Sequence, residues 1–73
     1  PNTTISYILP EAGMVRLILY NILGQEIRTL VNEIKETGTH TFNLDASGLN
    51  SGMYIYKIES GSFVQSKKMT LVK

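Results

Sequence analysis

Short runs of alternating hydrophobic and polar residues follow one another along most of this chain. Stretches rich in Gly, Asn, Ser and Pro, which favour turns, separate the runs at short intervals. Period-two alternation over runs of this length is typical of β-strands with one buried face. It predicts strands at residues 3–9, 14–20, 39–44, 53–59 and 62–73. Several such strands joined by tight turns indicate an all-β sandwich or barrel.

The same alternation predicts which side chains of these strands face the core. They are Ile5, Tyr7, Leu9, Val15, Leu17, Leu19, His40, Phe42, Leu44, Tyr54, Tyr56 and Ile58. In the closing strand, strict alternation would place Lys67 on the same side as Phe63, Met69 and Leu71. We therefore expect a β-bulge near Lys67, which would break the alternation at that point.

Residues 25–36 do not follow the period-two pattern. Their apolar side chains have the i, i+3, i+4, i+7 spacing of an amphipathic helix, at Ile27, Leu30, Val31 and Ile34. Gly24 before the segment and Gly38 after it suit the two ends of a helix. The alternative is a strand at 26–32 followed by a turn at 33–37. The residues of this segment leave helix and strand equally open.

Length and composition limit what the chain can do. Its 73 residues, 42% of them hydrophobic, suit one small globular domain. A fold of this size buries only about 60% of its chain's surface, so its core is too thin to enclose a deep substrate cleft. The absence of cysteine excludes disulfide bonds and thiolate metal sites. The chain starts at Pro1, without a signal peptide or an apolar run of membrane-helix length, and we expect it to be a fragment of a longer protein.

Candidate catalytic and metal-binding groups are few. The single histidine, His40, lies near Asp45 and Ser47, but their spacing matches no nucleophile motif. Glu33 and Glu36 lack a third metal ligand, and a solvent-exposed face explains them better. The glycines form neither a dinucleotide-binding fingerprint nor a P-loop. We therefore expect no catalytic residue, no metal, no cofactor and no enzymatic activity.

Residues 49–54 carry the most distinctive local motif. Leu49 is followed by Gly52 and then by Tyr54 at the start of a predicted strand. This order is similar to the corner before strand F of Ig-like sandwiches, where a tyrosine hydroxyl bonds back to the backbone. A strand that merely begins at a glycine and buries its tyrosine would give the same residues a structural role.

Positive charge is concentrated at the C-terminal end of the chain. Residues 64–73 contain Lys67, Lys68 and Lys73 and no acid, whereas the whole chain has a net charge of +1. A nucleic-acid surface usually has more basic residues and interleaved aromatic side chains, and only Phe63 lies nearby. Two interpretations remain open: the lysines protect an edge strand against unwanted pairing, or a partner recognises them.

Motifs along the whole chain occur in the order of one known family. They are an opening stretch at 1–10, a central hairpin at 15–31 that includes Gly24, a segment at 38–49, a Gly-x-Tyr motif at Gly52 and Tyr54, and a closing stretch at 67–73. Over essentially all residues the chain resembles the type A form of the C-terminal sorting domain of the type IX (Por) secretion system. The Asn-Pro-Phe stretch that usually precedes the family's opening is absent. The expected fold is also similar to the Ig-like domain of flagellar hook-cap proteins.

The resemblance implies an Ig-like β-sandwich of about seven antiparallel strands in two sheets, with residues 25–32 as a strand. Residues 1–73 would form a single C-terminal sorting domain at the end of a larger exported precursor. The domain would direct its cargo from the periplasm across the outer membrane through the type IX translocon. A sortase-like cysteine peptidase would then remove it, and the cargo would be attached to the cell surface or secreted.

The last strand is the part that we expect the translocon to recognise, by adding a strand to its edge. The expected contacts are Lys67, Lys68, Met69, Leu71, Val72 and Lys73. Structural roles are expected for Gly24, Leu49, Gly52 and Tyr54. We expect no nucleic-acid or small-molecule partner, and a lysine-bearing edge strand could also pair with a copy of itself.

Another class of function is an accessory Ig-like module that binds polysaccharide or protein for a secreted hydrolase. Carbohydrate-binding faces usually present aromatic side chains. The chain has no Trp, and Tyr7, Tyr54 and Tyr56 are predicted to be in the core, which leaves only Tyr20 exposed. A third possibility is a purely structural Ig-like spacer, which export of a fused reporter would distinguish from a sorting signal.

Overall fold

Six antiparallel β-strands form two sheets in the computed structural model, which describes residues 2–72. The strands are β1 (Asn2–Leu9), β2 (Gly13–Asn21), β3 (Glu26–Lys35), β4 (Gly38–Asp45), β5 (Gly52–Ser60) and β6 (Phe63–Leu71). β1 pairs with β4, and the other four form a sheet in the order β3-β2-β5-β6. The predicted all-β sandwich is confirmed, with six strands among the described residues where about seven were expected. The described chain contains no helix long and apolar enough to cross a membrane.

The core lies between the two sheets, since its buried side chains come from strands of both. Three connections lead from one sheet to the other. These connections are residues 10–12, 36–37 and 46–51, whereas β2–β3 and β5–β6 are hairpins within the larger sheet. The alternation predicted for β1, β2 and β5 is confirmed, since one face of each strand is buried. The side chains with the least exposure in this core are Leu9, Val15, Leu17, Leu19, Leu44 and Ile58.

The ambiguous segment is a strand, β3, and it is longer than the predicted strand at 26–32. It continues to Lys35, so the turn expected at 33–37 is reduced to residues 36–37. Its pairing with β2 shifts register twice, and each shift leaves one extra residue on β3, Leu30 and Ile27. Each extra residue reverses the alternation of faces. The extra residues account for the apolar positions Ile27 and Leu30, whereas Ile34 lies in regular pairing opposite Met14 and is 75% exposed.

The closing strand β6 is regular, and the β-bulge expected near Lys67 is wrong. Its pairing with β5 runs without a register shift from Phe63 to Leu71. Lys67 lies opposite Tyr56, on the inner face that also carries Met69. Lys67 is nevertheless exposed, because the two-stranded sheet does not cover this part of β6. The strand can therefore keep strict alternation without burying a charge.

The outer face of the four-stranded sheet has a small apolar centre of its own. Ile18 is only 1% exposed, although it does not belong to the core between the sheets. Its cross-strand neighbours are Thr29 on β3 and Lys57 on β5, and the next pair along the face is Tyr20 with Ile55. Tyr20 is half-buried there, so the expectation that it would be the exposed tyrosine is wrong.

Candidate functional site

The corner before β5 has the geometry that the Gly-x-Tyr motif suggests. The hydroxyl of Tyr54 donates a hydrogen bond to the carbonyl oxygen of Asn50 at 2.7 Å. The amide of Leu49 donates to the carbonyl oxygen of Ala46 at 3.0 Å, and both side chains are buried. Gly52 has φ of 148°, a backbone conformation that side chains disfavour. The corner therefore fixes the point at which β5 begins.

β5 is the strand that holds β6 in place. Gly52 and Tyr54 at its start lie opposite Leu71 and Met69 at the end of β6. The Gly-x-Tyr motif is thus directly paired with the closing stretch of the chain, although the paired residues lie 15 and 19 positions apart in sequence. A substitution that displaces the corner is therefore expected to weaken the pairing at the C-terminal end of β6.

The connection that leads into this corner is fixed by Asp45. Its Oδ1 accepts a hydrogen bond from the amide of Ser47 at 3.0 Å, and this bond lowers the pKa of the Asp45 carboxyl group. Arg28 of β3 donates to the carbonyl oxygen of Asp45 at 3.2 Å. The guanidinium group therefore ties an edge of the four-stranded sheet to the end of β4.

Gly24 lies in the turn between β2 and β3, where φ is 83°. Oδ1 of Asn21 accepts from the amides of Leu23 and Gln25, at 2.9 and 3.0 Å. The amide of Gly24 itself donates to the carbonyl oxygen of Asn21 at 3.0 Å. The positive φ favours glycine at this position, which is consistent with a structural role.

The six residues expected to contact a translocon do not share one surface. Lys68 lies on the outer face opposite Ile55, whereas Lys67 lies on the inner face opposite Tyr56. Met69 is half-buried against the core, Leu71 is 4% exposed and Val72 is 85% exposed. Lys73 lies outside the described residues. Of the five described residues in this set, Lys67, Lys68 and Val72 are thus accessible in the folded domain, while Met69 and Leu71 anchor the strand.

β6 is an edge strand, since β5 is its only partner strand among residues 2–72. One side of the strand therefore presents free backbone N–H and C=O groups, which can accept a further strand. β3 forms the opposite edge of the same sheet, but its two register shifts make it irregular. Of the two edges of this sheet, β6 offers the more regular template.

Neither Lys67 nor Lys68 forms an ion pair with any residue between 2 and 72. The ion pairs in that range join Arg16 to Glu59 at 3.5 Å and Lys35 to Glu33 at 2.6 Å. The Glu33 carboxylate raises the pKa of the Lys35 ammonium through its hydrogen bond. The ammonium groups on β6 keep their charge uncompensated, so an acidic partner could bind them.

His40 has a packing role and is not brought together with Ser47. Its ring stacks on Tyr7 with centroids 5.6 Å apart and planes inclined by 30°. Its Nε2 donates to the carbonyl oxygen of Glu36 at 2.6 Å, so the ring also ties β4 to the connection that precedes it. Within residues 2–72, no three His, Asp or Glu side chains are grouped so that they could hold a metal ion.

A groove of about 540 Å³ between β1 and β6 was not predicted from the sequence. Its lining residues are Ser6, Tyr7, Ile8, Pro10, Thr39, Phe63, Gln65 and Lys67. Three of them come from the inner face of β6, and one of these is Lys67. The sequence signal for this open side of the sandwich was that Lys67 falls in the same alternation phase as Phe63 and Met69.

A family model described as the secretion system C-terminal sorting domain matches residues 1–73. No curated protein and no solved structure shows significant similarity to the chain.

Proposed function

This chain belongs to the family of secretion system C-terminal sorting domains, and we propose that β6 is the strand that the export machinery contacts. The chain is a C-terminal sorting signal for type IX secretion. It follows a cargo region, interacts with the type IX machinery, and belongs to a protein that is exported to the cell surface or secreted. The observation that supports β6 as the contact is its position as a regular, lysine-bearing edge strand.

Recognition of β6 would use its backbone and its exposed side chains together. A receptor strand that pairs with the free edge gains main-chain hydrogen bonds, and side chains beside the edge provide selectivity. Lys68 and Val72 are exposed and can contact the receptor directly, and Lys67 faces the open groove. Met69 and Leu71 contribute by fixing the strand against the core. Lys73 belongs to the same recognition segment in this proposal.

The finer steps of export are also part of the proposal. The domain, residues 1–73, acts as one unit that passes with its cargo through the periplasm and across the outer membrane. A sortase-like cysteine peptidase then separates it from the cargo. The domain itself catalyses no reaction, which agrees with a His40 ring engaged in packing and with the role of its family as a secretion signal.

A reporter fusion tests whether β6 is the contact. Residues 1–73 are fused to the C-terminus of a periplasmic reporter in a host with an active type IX system, and surface and medium fractions are assayed. Deletion of residues 68–73 should leave the reporter in the periplasm. The sharper variant is Lys68→Ala with Val72→Ala, because both side chains are exposed and the core is untouched. This variant should reduce export while circular dichroism shows an intact fold.

The matched control changes a lysine and an exposed aliphatic residue on the opposite edge of the same sheet. Lys35→Ala with Ile34→Ala on β3 removes the same kinds of group from an irregular edge, and Ile34 is 75% exposed. This variant should be exported normally. Normal surface display of the deletion variant, or equal loss of export in both double variants, would contradict the proposal.

A further inference from the structure

The groove between β1 and β6 is bounded by two kinds of surface, a wall contributed by β1 and a floor contributed by β6. Ser6, Tyr7 and Ile8 are consecutive residues of β1, and consecutive residues of a strand point to opposite faces. A groove that touches all three is bounded by the edge of β1. On β6 the lining residues are Phe63, Gln65 and Lys67, which share the inner face. The wall is therefore formed by the edge of β1 together with Thr39 of β4, which pairs with Ile8, and the floor is the uncovered inner face of β6.

The edge of β1 that borders the groove carries no other strand among the described residues. β1 pairs with β4 on one side only, along its whole length from Asn2 to Leu9. Its free backbone groups on the other side can bind a strand at the usual spacing of about 4.8 Å. An added strand there would lie above β6 and make the smaller sheet three-stranded.

Charge selects what kind of strand can enter this groove. No Asp or Glu side chain lines it, and Lys67 has no ion pair within residues 2–72. An inward-pointing lysine beside a free edge discourages apolar and basic strands, because its ammonium group would be buried without a partner. A strand with a carboxylate opposite Lys67 removes that penalty. The apolar surfaces of Tyr7, Ile8 and Phe63 favour aliphatic side chains next to it.

We propose that this groove binds an extended acidic segment of the type IX machinery, which pairs with the free edge of β1 and places a carboxylate at Lys67. The inference rests on the proposed function for its partner, but it uses a different strand edge from the one proposed above. The sorting domain then presents two binding edges to the machinery, a general one at β6 and a charge-selective one at β1.

A pair of short peptides tests the charge selectivity directly. The probes are fluorescein-labelled pentapeptides with the sequence Glu-Thr-Val-Thr-Glu or Lys-Thr-Val-Thr-Lys, blocked at both ends. Because each peptide carries its charged residue at both ends, it can place a charge opposite Lys67 whether it pairs parallel or antiparallel to β1. In fluorescence anisotropy titrations of the chain, the glutamate peptide should bind about fivefold more tightly than the lysine peptide, as expected for one partly exposed ion pair.

Two variants with equal net charge separate Lys67 from the general charge of the domain. Lys67→Glu should reverse the peptide preference, whereas Lys57→Glu on the outer face of the neighbouring strand β5 should leave it unchanged. NMR shifts caused by the glutamate peptide should fall on Ser6 to Leu9 and on Phe63 to Lys67. Absence of peptide binding, equal affinity for both peptides, or shifts confined to β3 or the outer face would overturn the proposal. A dimer in sedimentation velocity that Lys67→Glu dissociates would show a second copy in the groove and would also overturn it.

An export assay separates failure of this inference from failure of the proposed function. In the reporter fusion, Lys67→Glu should reduce export and Lys67→Arg should not. If Lys67→Glu is exported normally while deletion of residues 68–73 still blocks export, β6 remains the contact and the groove proposal is wrong. If the deletion variant is exported normally, the proposed function itself is wrong.

Discussion

The Tyr54 hydroxyl offers the most direct test of how the corner stabilises the fold. Replacement of Tyr54 by Phe removes a single oxygen, and with it the 2.7 Å hydrogen bond to the carbonyl oxygen of Asn50. The aromatic ring keeps its packing, because Tyr54 is 9% exposed and belongs to the core. Any loss of stability therefore reports the hydrogen bond and the order that it gives to the corner.

The expected cost of Tyr54→Phe is about 1 kcal/mol, the usual net value of one intramolecular hydrogen bond. Asn50 is exposed, so water can replace the lost donor and no buried carbonyl is left unsatisfied. For a chain of 73 residues, the total stability is expected at about 4–11 kcal/mol. The melting temperature should then fall by about 4–8 °C.

Thermal unfolding followed by circular dichroism measures this change, and Tyr20→Phe is its control. Tyr20 is half-buried on the outer face, and its hydroxyl has no hydrogen bond to residues 2–72. Its replacement should leave the melting temperature unchanged. Because Tyr54 lies opposite Met69, amide exchange at the end of β6 should also accelerate in Tyr54→Phe. Equal melting temperatures for wild type and Tyr54→Phe would refute the reasoning.

Two further predictions concern the backbone and the charge around the same corner. Gly52→Ala should destabilise the fold by about 1–3 kcal/mol, because alanine disfavours the φ of 148° at this position. Gly48→Ala should cost far less, since its added Cβ would meet only Arg28 Nη2, at 3.8 Å. Denaturant titration measures both free energies of unfolding, and equal losses would contradict the backbone argument. The lowered pKa of Asp45 means that its contribution to stability is present above the unfolded pKa and is lost as the pH falls through the folded pKa. Melting temperatures between pH 6 and pH 2 should therefore decline less steeply below about pH 4 in Asp45→Asn than in wild type, and identical slopes would show that Asp45 carries none of the acid sensitivity.

The core of the sandwich could be predicted because β1, β2 and β5 keep strict alternation. Ile5, Tyr7 and Leu9 occupy one face of β1, and the corresponding faces of β2 and β5 meet them across a thin core. The corner at Tyr54 could also be anticipated, because the required residues are close together in sequence. Both features depend on local order, and period-two patterning reports local order well.

β3 shows why the strand at 26–35 could not be read from periodicity. The two extra residues, Ile27 and Leu30, reverse the faces twice, so apolar side chains no longer mark a single face. A bulge depends on how a strand meets its neighbour, and one strand's own sequence does not contain that information. The resemblance to a known family, and not the pattern of residues, was what indicated a strand here.

The groove and the position of Lys67 could not be predicted for a related reason. A lysine in phase with Phe63 and Met69 suggests a bulge if the face is assumed to be covered. The face is uncovered because the smaller sheet has two strands in the described part of the chain, and the reach of one sheet over the other is a property of the whole fold. Sequence alternation gives the direction of a side chain, but not what lies above it.

The two irregular steps in β3 limit how far copies of this domain could assemble. Each register shift increases the local twist of β3 and interrupts the regular row of backbone hydrogen-bonding groups that another chain would need. Pairing of β6 with β6 of a second copy would cover the regular edge of the larger sheet in both copies. We therefore expect growth of the larger sheet to terminate at a two-fold symmetric pair, because its other edge, β3, is too irregular to continue the sheet.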